Sequence, residues 1–383
     1  MAALSVLDVA LGLIYPLLSL LLEARGLAAG WIGVNAAMTP LGIVLAAPVL
    51  PVLTKSCRPW TVAVGAMAAV AASLVLLKLL PGFAAWLVLR FVLGMAIGFL
   101  FAITEAWIAA LAPPNARGRV MGLYTSVLSL GFATGPFVLS LTGIDGWPPF
   151  AAGLSVVLLG AVPLLLVRHE VPALDESRTP SSIRAFTRRA PMLLLAVGSF
   201  ALFDTAVMAL LPLYGLSNGL SASSAATALG VLIVGNVVLQ PPIGWLADRL
   251  PRRVMLGACA ALAGAGGLVL PLLIGTPWRW PFLFLWGAAG FGVYTVVLAE
   301  LGRRFTGAWL VTGAASFAAV WGVGGIVGPP LAGAAMAAFG PDGLPLLLAA
   351  CFAPLALVAA WPERASVHSS SRRPCSSSAS SSS

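Results

Sequence analysis

The sequence predicts an all-α integral membrane protein with twelve transmembrane helices, arranged as two pseudo-symmetric six-helix bundles. Only 9% of the 383 residues are charged and 60% are hydrophobic, with a mean hydropathy of +1.02. A soluble domain needs roughly 25% charged residues to cover its surface. Apolar runs long enough to cross a ~30 Å hydrocarbon layer as a helix recur along the whole chain. Most side chains are therefore expected to face lipid or other helices.

The apolar runs define the order of the elements. We predict spans at residues 3–23, 29–53, 60–80, 83–112, 119–143, 147–167, 191–215, 221–247, 254–275, 279–301, 307–338 and 342–361. A polar cytoplasmic loop, 168–190, separates an N-terminal six-helix bundle (1–167) from a C-terminal one (191–361). The Ser-rich segment 362–383 is too polar to pack and is expected to be a disordered cytoplasmic tail.

The distribution of basic residues predicts the orientation. On alternate sides of the twelve spans, seventeen basic residues share the side of the central loop, and three, Arg25, Lys78 and Arg279, lie opposite. The positive-inside rule then places both termini in the cytoplasm of a multi-pass protein of the bacterial inner membrane. The first span could instead be a signal peptide, but it lacks a basic n-region and contains Asp8.

The two halves contain matching residues at nearly constant offsets. At an offset of 193, Pro48 matches Pro241, and Gly135-Pro136 matches Gly328-Pro329. At an offset of 196, Asp8 and Pro16 match Asp204 and Pro212. A duplicated six-helix unit with a three-residue length change after its first helix explains these matches, and such parallel repeats are typical of transporters. Asp8 lies closer to the chain start than Asp204 lies to its helix start, so a short first helix or a truncated start is expected.

Few ionisable residues lie inside the spans. They are Asp8 in the first span, Arg90 and Glu105 in the fourth, and Asp204 in the seventh, while Glu300 lies near the end of the tenth. A lone charge in lipid costs roughly 2.5–3.5 kcal/mol or more, so these groups are expected to meet in a hydrated cavity. We predict that Asp204 is the principal substrate- or proton-binding carboxylate and Asp8 its partner from the other half.

Two further predictions concern the same cavity. Arg90 and Glu105 could form a second charge pair, and Tyr15 lies about −20° round the first helix from Asp8, so it is expected to line the cavity too. Structural salt bridges that lock helices together are the alternative to a functional role for both charge pairs.

The loop after span eight carries a recognisable motif. It reads Gly244-Trp-Leu-Ala-Asp248-Arg249-Leu-Pro-Arg252-Arg253, and it resembles the G-x-L-A-D-R-x-G-R-R loop of the major facilitator superfamily, with proline at the second glycine. The resemblance implies that Asp248 meets a neighbouring helix end and helps to hold the outward-facing state, with the three arginines as charge partners. A plain positive-inside anchor is the alternative.

Other stretches support the same resemblance, which covers the chain from Leu4 to Trp361. Arg90-x3-Gly94-x3-Gly98 is similar to helix four of proton-coupled exporters of that superfamily, although the glycines alone are consistent with packing. Gly135-Pro136 in span five resembles part of the antiporter motif, and Gly328-Pro329 repeats it in span eleven. The resemblance implies the superfamily fold, a cavity lined by helices one, four, seven and ten, and gating at Gly135, Pro136, Gly328 and Pro329. In the first-half loop, Lys55 replaces the motif acid.

These observations predict a secondary active transporter of a small organic solute that works by alternating access, with proton-coupled efflux as the preferred mode. No enzyme activity, cofactor or metal site is expected, because the four cysteines are scattered and no phosphate-binding loop is present. The net charge of +9 resides in short gaps between apolar segments, which argues against a nucleic-acid partner. The expected partners are a small-molecule substrate, protons and the lipid bilayer, and the protein is expected to be a monomer. Uptake of a sugar or other metabolite, and a non-transporting sensor or assembly protein, are the alternatives.

Overall fold

The computed structural model describes residues 2–111, 117–166 and 183–360, and every regular element within these ranges is a helix. In chain order the helices are α1 (Ala2–Ala24), α2 (Ala29–Ser56), α3 (Pro59–Leu79), α4 (Phe83–Leu111), α5 (Arg117–Thr142), α6 (Pro148–Leu166), α7 (Ile183–Arg189), α8 (Pro191–Ser217), α9 (Ala222–Arg249), α10 (Arg252–Leu273), α11 (Arg279–Arg304), α12 (Gly307–Phe339) and α13 (Gly343–Ala360).

The twelve predicted spans correspond to α1–α6 and α8–α13, and the predicted fold class is confirmed. Eleven of these helices are long and apolar enough to cross a membrane, judged on the described residues, and α5 contributes a shorter apolar stretch, Ser126–Thr142. The predicted tail at 362–383 and residues 168–182 of the predicted central loop lie outside the described residues.

The short helix α7 belongs to the segment that the sequence indicated only as a polar interruption. Its Phe186 is fully buried and lies 5.1 Å from the ring of Phe305 and 6.3 Å from that of Phe317, measured between ring centroids. At the end of α7, the guanidinium of Arg189 lies 4.4 Å from the ring of Trp309. The end of the linker is therefore docked on the C-terminal half by aromatic contacts.

The internal duplication is visible in how the helices touch. Gly42 of α2 faces Gly94 of α4 so closely that a Cβ atom added at either would collide with the backbone of the other helix. In the second half, Gly235 of α9 and Gly287 of α11 make the same kind of contact. Both members of the second pair lie 193 residues after those of the first. The prediction of a repeated six-helix unit is thus supported by matched backbone contacts.

The first helix of each half follows the same offset. Gly135 of α5 lies against the carbonyl of Val9 on α1, and Gly328 of α12 lies against the carbonyl of Leu202 on α8. Val9 and Leu202 are 193 positions apart, and so are Gly135 and Gly328. No change of length after the first helix is needed.

The predicted equivalence of Asp8 and Asp204 is therefore wrong. By the offset of 193 that the glycine contacts impose, Asp8 corresponds to Ala201, and Asp204 lies nearly one helical turn beyond that position. The offset of 196 paired two aspartates that lie at different depths along their helices.

The two halves meet at one end of the molecule. A Cβ atom at Gly333 of α12 would collide with the Ala29 carbonyl at the start of α2, and Ser223 Oγ on α9 donates to the Ser140 carbonyl on α5 at 2.9 Å. The internal duplication relates these two contacts to each other, because Ser140 and Gly333 are 193 positions apart. With the predicted orientation they lie on the outer side, where α1 ends and α2 begins.

At the other end, α4 and α11 share no extensive packing in the described ranges, and Glu105 and Asp248, on the inner parts of α4 and α9, are exposed. These two helices therefore do not join the halves on the side that the basic residues predict to be cytoplasmic.

Candidate functional site

A buried arginine lies in the outer part of the N-terminal half, next to the boundary with the other half. Arg90 of α4 is inaccessible to solvent, and its Nη1 donates to Asn35 Oδ1 at 2.9 Å while its Nε donates to Thr39 Oγ1 at 3.4 Å. Its guanidinium also lies 5.3 Å from the ring centroid of Tyr15 on α1. These neutral acceptors and the aromatic face stabilise a charge that would otherwise be costly to bury.

Two donors in this cluster remain without a partner. Arg90 Nη2 and Asn35 Nδ2 are buried and have no hydrogen-bond acceptor among the described residues. A buried unsatisfied donor costs about 1–3 kcal/mol, so the two groups are suited to a water molecule or to a solute oxygen in the cavity. The residue pair Asn35 and Thr39, one turn apart on α2, was not predicted from the sequence, although two polar side chains at that spacing are a usable signal.

Asp204 lies at the contact of α8 with α12, in the middle of its helix. Trp321 Nε1 of α12 donates to Asp204 Oδ2 at 3.3 Å, and in the part of the chain that is described no basic side chain forms an ion pair with this carboxylate. Tyr15 is within electrostatic range of both Arg90 and Asp204. Tyr15 is therefore near ionisable groups of both halves, and its place in the cavity stays a prediction.

A second group of polar residues lies closer to the inner end of the bundles. Asp8 of α1 is only 4% exposed, whereas Glu105 of α4 is exposed. The phenol of Tyr124 on α5 is within electrostatic range of both carboxylates. Tyr294 of α11 is within range of Glu105 and stacks on Phe200, with 4.6 Å between ring centroids. Glu105 of the N-terminal half is thus within electrostatic range of Tyr294 of the C-terminal half.

The structure arranges the predicted charge pairs differently from the expectation. Arg90 and Glu105 lie fifteen residues apart on one helix, about 22 Å along its axis, so they are not paired. Asp8 and Asp204 also lie in different layers, Asp8 with Glu105 and Tyr124, and Asp204 with Trp321 and Tyr15. Tyr124 and Trp321 were missed because an aromatic residue in an apolar span looks like packing.

The loop between α9 and α10 contains a chain of charges. Arg252 Nη2 forms a salt bridge of 2.9 Å with Asp248 Oδ1, and Arg252 Nη1 lies 3.6 Å from Glu300 Oε2 on α11. Arg303 Nη2 lies 3.1 Å from the same Glu300 oxygen. The motif acid is thereby connected to the inner end of α11 through Arg252.

The two other arginines of this motif have different contacts. Arg249 lies over the ring of Trp245, 3.7 Å from its centroid. Arg253 donates to the carbonyls of Val358 at 2.7 Å and Ala359 at 3.2 Å, and so satisfies the end of α13. Gly244 is not at a tight crossing, since the nearest atom to an added Cβ, on Thr295, is 4.0 Å away.

The predicted gating residues in α5 and α12 lie at close helix contacts. Gly135 meets the backbone of α1, and Gly328 meets Thr205 Oγ1 of α8. Pro136 and Pro329 follow inside their helices, and a Cβ atom at Gly33 of α2 would collide with the Pro329 carbonyl. Among the residues that could be searched, no cluster of three or more His, Cys, Asp or Glu side chains is arranged to hold a metal ion.

Two helical halves related by a constant offset, with ionisable side chains inside the spans near the boundary between the halves, are typical of secondary membrane transporters. Residues 1–317 match the family model of the Major Facilitator Superfamily, and the chain belongs to that family. Its family and fold are those of multi-pass membrane transporters of the bacterial type. The predicted resemblance is confirmed.

The curated relatives are bacterial. The chain is 24% identical over 345 residues to the uncharacterized MFS-type transporter YfkF of Bacillus subtilis (strain 168), covering 86% of this chain and 85% of that protein. It is 27% identical over 277 residues to the uncharacterized MFS-type transporter YcaD of Escherichia coli O45:K1 (strain S88 / ExPEC), covering 71% of each.

Solved structures show the same fold. The nucleoside transporter NupG superposes with a TM-score of 0.74 at 14% identity, over 94% of this chain and 96% of that one. A bacterial homolog of the human lysosomal transporter Spinster, in an inward-facing and unoccupied conformation, superposes with a TM-score of 0.72 at 14% identity, over 94% of this chain and 93% of that one.

Proposed function

We propose that this chain exports a small organic solute in exchange for protons by alternating access, with Asp204 as the principal proton- or solute-binding carboxylate. The two bundles, 1–167 and 191–361, would rock about a cavity near the middle of the membrane. Both termini, the loop 168–190 and the segment 362–383 would face the cytoplasm of a bacterial inner membrane, and the transporter would act as a monomer.

The surroundings of Asp204 support this proposal most strongly. Its hydrogen-bond donor is the neutral indole of Trp321, at 3.3 Å. A carboxylate that is held by a neutral donor can gain or lose a proton without breaking an ion pair, whereas a carboxylate locked to arginine is held ionised. The position of Asp204 on α8, at the contact with α12, also couples its protonation to a helix that packs on the other half.

The contacts between the two halves support the proposal of alternating access. The outer contacts between α2 and α12 and between α5 and α9 would hold the inward-open state, and the charge chain from Asp248 to Glu300 would be available to close the inner side when the outer contacts separate. Tyr15 contacts Arg90 and is within electrostatic range of Asp204, so it would sense the relative movement of α1, α4 and α8.

Proton coupling is tested in proteoliposomes that contain the purified full-length protein and the pH-sensitive dye pyranine. A panel of organic amines, sugars and nucleosides is added in turn, and the internal pH is followed. Wild-type protein is expected to show a solute-dependent pH change. Asp204→Asn is expected to abolish it, while Asp145→Asn, a matched change on an exposed loop, is expected to leave it intact. Full coupling in Asp204→Asn would remove this residue from the mechanism.

The direction of transport is read from the same experiment. In an exporter that exchanges solute for protons, solute and protons cross in opposite directions. Movement in the same direction would identify a symporter and hence the uptake alternative. Absence of any solute-dependent pH change and of any flux, across the whole panel, would instead favour a sensor or assembly role.

A further inference from the structure

A groove of about 340 Å³ lies on the periphery of the N-terminal half, between α2, α3 and α4. One of its walls is a face of α3 with small side chains, formed by Thr61, Gly65 and Ala69 at a spacing of four residues, and the groove is therefore called the α3 groove. Helices α2 and α3 each pack along α4 but share few contacts with each other, which leaves the groove open between them. Among its lining residues only Thr61 carries a hydroxyl, so the groove is largely apolar.

The position of the groove on α4 shows which way it opens. Its lining residues Val92, Met95 and Phe99 lie about 140–200° round α4 from Arg90. The guanidinium of Arg90 contacts α1 and α2, and Val92 is 38% exposed. The groove therefore opens away from the buried arginine and toward the surrounding bilayer, where acyl chains are the available apolar groups.

The inner end of the groove lies beside two basic residues. Cys57, which lines the groove, stands between Lys55 and Arg58 where α2 passes into α3, and all three residues are exposed. Neither basic side chain forms an ion pair or a hydrogen bond with another residue in the described part of the chain. The sequence contains no acidic residue between Glu23 and Glu105. The turn therefore carries two uncompensated positive charges next to an apolar groove.

The duplicated unit differs at the equivalent positions of the second half. By the offset of 193, the three α3 residues correspond to residues of α10 with larger side chains, namely Val254, Ala258 and Leu262. Lys55 corresponds to Asp248, which forms a salt bridge with Arg252. The combination of a small-residue wall with uncompensated basic residues is thus particular to the first half and does not follow from the shared architecture.

The chemistry of the groove and its rim selects an anionic phospholipid. An acyl chain matches the apolar lining, and a phosphate with a net negative charge complements Lys55 and Arg58. The hydroxyl of Thr61, near the inner end of α3, can donate to a phosphate or ester oxygen. A zwitterionic phospholipid would supply the same chain without the net charge.

We infer that the α3 groove binds one anionic phospholipid from the inner leaflet, with an acyl chain between α2 and α3 and the phosphate at Lys55 and Arg58. With the predicted orientation this is the cytoplasmic leaflet, whose anionic lipids attract basic residues next to membrane spans. The site lies outside the proposed solute path, so its occupancy depends on neither the solute nor the proton coupling of transport.

The charge at the rim is tested by native mass spectrometry of the delipidated full-length protein in detergent, which gives the Kd of the first phospholipid that binds. Dioleoyl phosphatidylglycerol is expected to bind about tenfold more tightly than dioleoyl phosphatidylethanolamine, which has the same chains and no net charge. Lys55→Gln combined with Arg58→Gln should abolish this preference by weakening only the phosphatidylglycerol complex. Arg184→Gln combined with Arg188→Gln, which removes two exposed charges from α7, is the matched control.

Filling the groove tests the place of the acyl chain. An added Cβ atom at Gly65 meets nothing within 4 Å, so Gly65→Leu should fold normally and weaken the binding of both phospholipids about fivefold or more. Ala258→Leu, at the equivalent position of α10, should leave both affinities unchanged. Thermal unfolding midpoints identify a misfolded variant, and Ala69→Leu, one turn further along α3, provides a second way to fill the groove.

Several results would overturn the inference. Equal wild-type affinities for the two phospholipids, or a preference that survives the removal of Lys55 and Arg58, would exclude recognition by charge at this rim. An equal loss in the α7 control would assign the preference to the overall positive charge of the inner side. Wild-type affinity in both Gly65→Leu and Ala69→Leu would place the lipid elsewhere. Displacement of the lipid by glycerol phosphate would indicate a phosphate site without a chain, and a dimer that Gly65→Leu dissociates would assign the groove to a second copy of this chain.

Discussion

The guanidinium of Arg90 lies 5.3 Å from the ring centroid of Tyr15, and this contact joins α4 to α1 inside the N-terminal half. Because Tyr15 is also within electrostatic range of Asp204 on α8, the contact lies next to the boundary between the halves. The arginine is thus held by neutral groups, one of which, Tyr15, is also near an acid of the other half.

Replacing Arg90 by lysine is expected to impair transport although the charge is kept. A lysine cannot reach Asn35 and Thr39 together, and it loses the planar contact with Tyr15. We expect the initial transport rate to fall about tenfold or more, with a stability loss of about 1.5–3 kcal/mol for a charge-assisted hydrogen bond. Transport assays and thermal unfolding measure the two effects, with Arg184→Lys on the exposed face of α7 as the control. Unchanged transport would show that charge alone suffices.

A bulky residue at Gly333 is expected to weaken the outer closure. Its Cβ atom would collide with the Ala29 carbonyl, and overpacking of this kind costs about 1–3 kcal/mol. Spin labels at the exposed positions Leu79 and Leu272, in a background with the native cysteines replaced, report the distance across the outer side. Gly333→Leu should shift the distribution to longer distances. Gly65→Leu is the control, since an added Cβ there meets nothing within 4 Å; equal shifts in both variants would contradict the assignment.

The two ion pairs that Glu300 forms at the inner rim, with Arg252 and with Arg303, are expected to differ in coupling energy. Arg252 and Glu300 have side chains that are 15% and 19% exposed, whereas the Arg303 side chain is 66% exposed. A double-mutant cycle with Arg252→Gln and Glu300→Gln should give a coupling energy of about 1 kcal/mol, from thermal unfolding midpoints. The corresponding cycle with Arg303→Gln should give less than about 0.5 kcal/mol because solvent screens that pair. The reverse order would mean that Arg252 is held by Asp248 alone.

Removing the buried ring of Phe186 is expected to release α7. The ring fills a space next to Phe305, Phe317 and Gly313. Truncation of a buried phenylalanine costs about 3–5 kcal/mol, which a helix of seven residues cannot offset by itself. Hydrogen–deuterium exchange across residues 183–189 should therefore become much faster in Phe186→Ala. The control Arg184→Ala should exchange like the wild type, and protection retained in Phe186→Ala would show that other contacts hold the helix.

The spans and the ionisable residues inside them could be predicted from the sequence, because each depends on one strong rule. An apolar run of about twenty residues has few structural alternatives, and a charge such as Arg90 in such a run is rare and costly. The partners of those charges could not be predicted in the same way. The bonds from Arg90 to Asn35, and from Trp321 to Asp204, depend on how far each helix is rotated about its axis.

Two errors have identifiable physical causes. The match between Asp8 and Asp204 relied on residue type, whereas the register of the repeat is fixed by where glycines let backbones touch, as at Gly135 and Gly328. The helix α7 was missed because seven residues with one buried side chain, Phe186, carry no periodic signal.

Part of the outer seam between the halves consists of very small residues, with Gly333 against Ala29 and Ser223 bonded to the Ser140 carbonyl. When such surfaces part, they expose mainly peptide groups and a hydroxyl, which water can solvate at once, and they uncover little apolar area. An aromatic ring also crosses the boundary between the halves, because Phe137 of α5 packs against Gly230 of α9. We therefore expect rewetting to be easy at the small residues and to be limited by the removal of the Phe137 ring from Gly230.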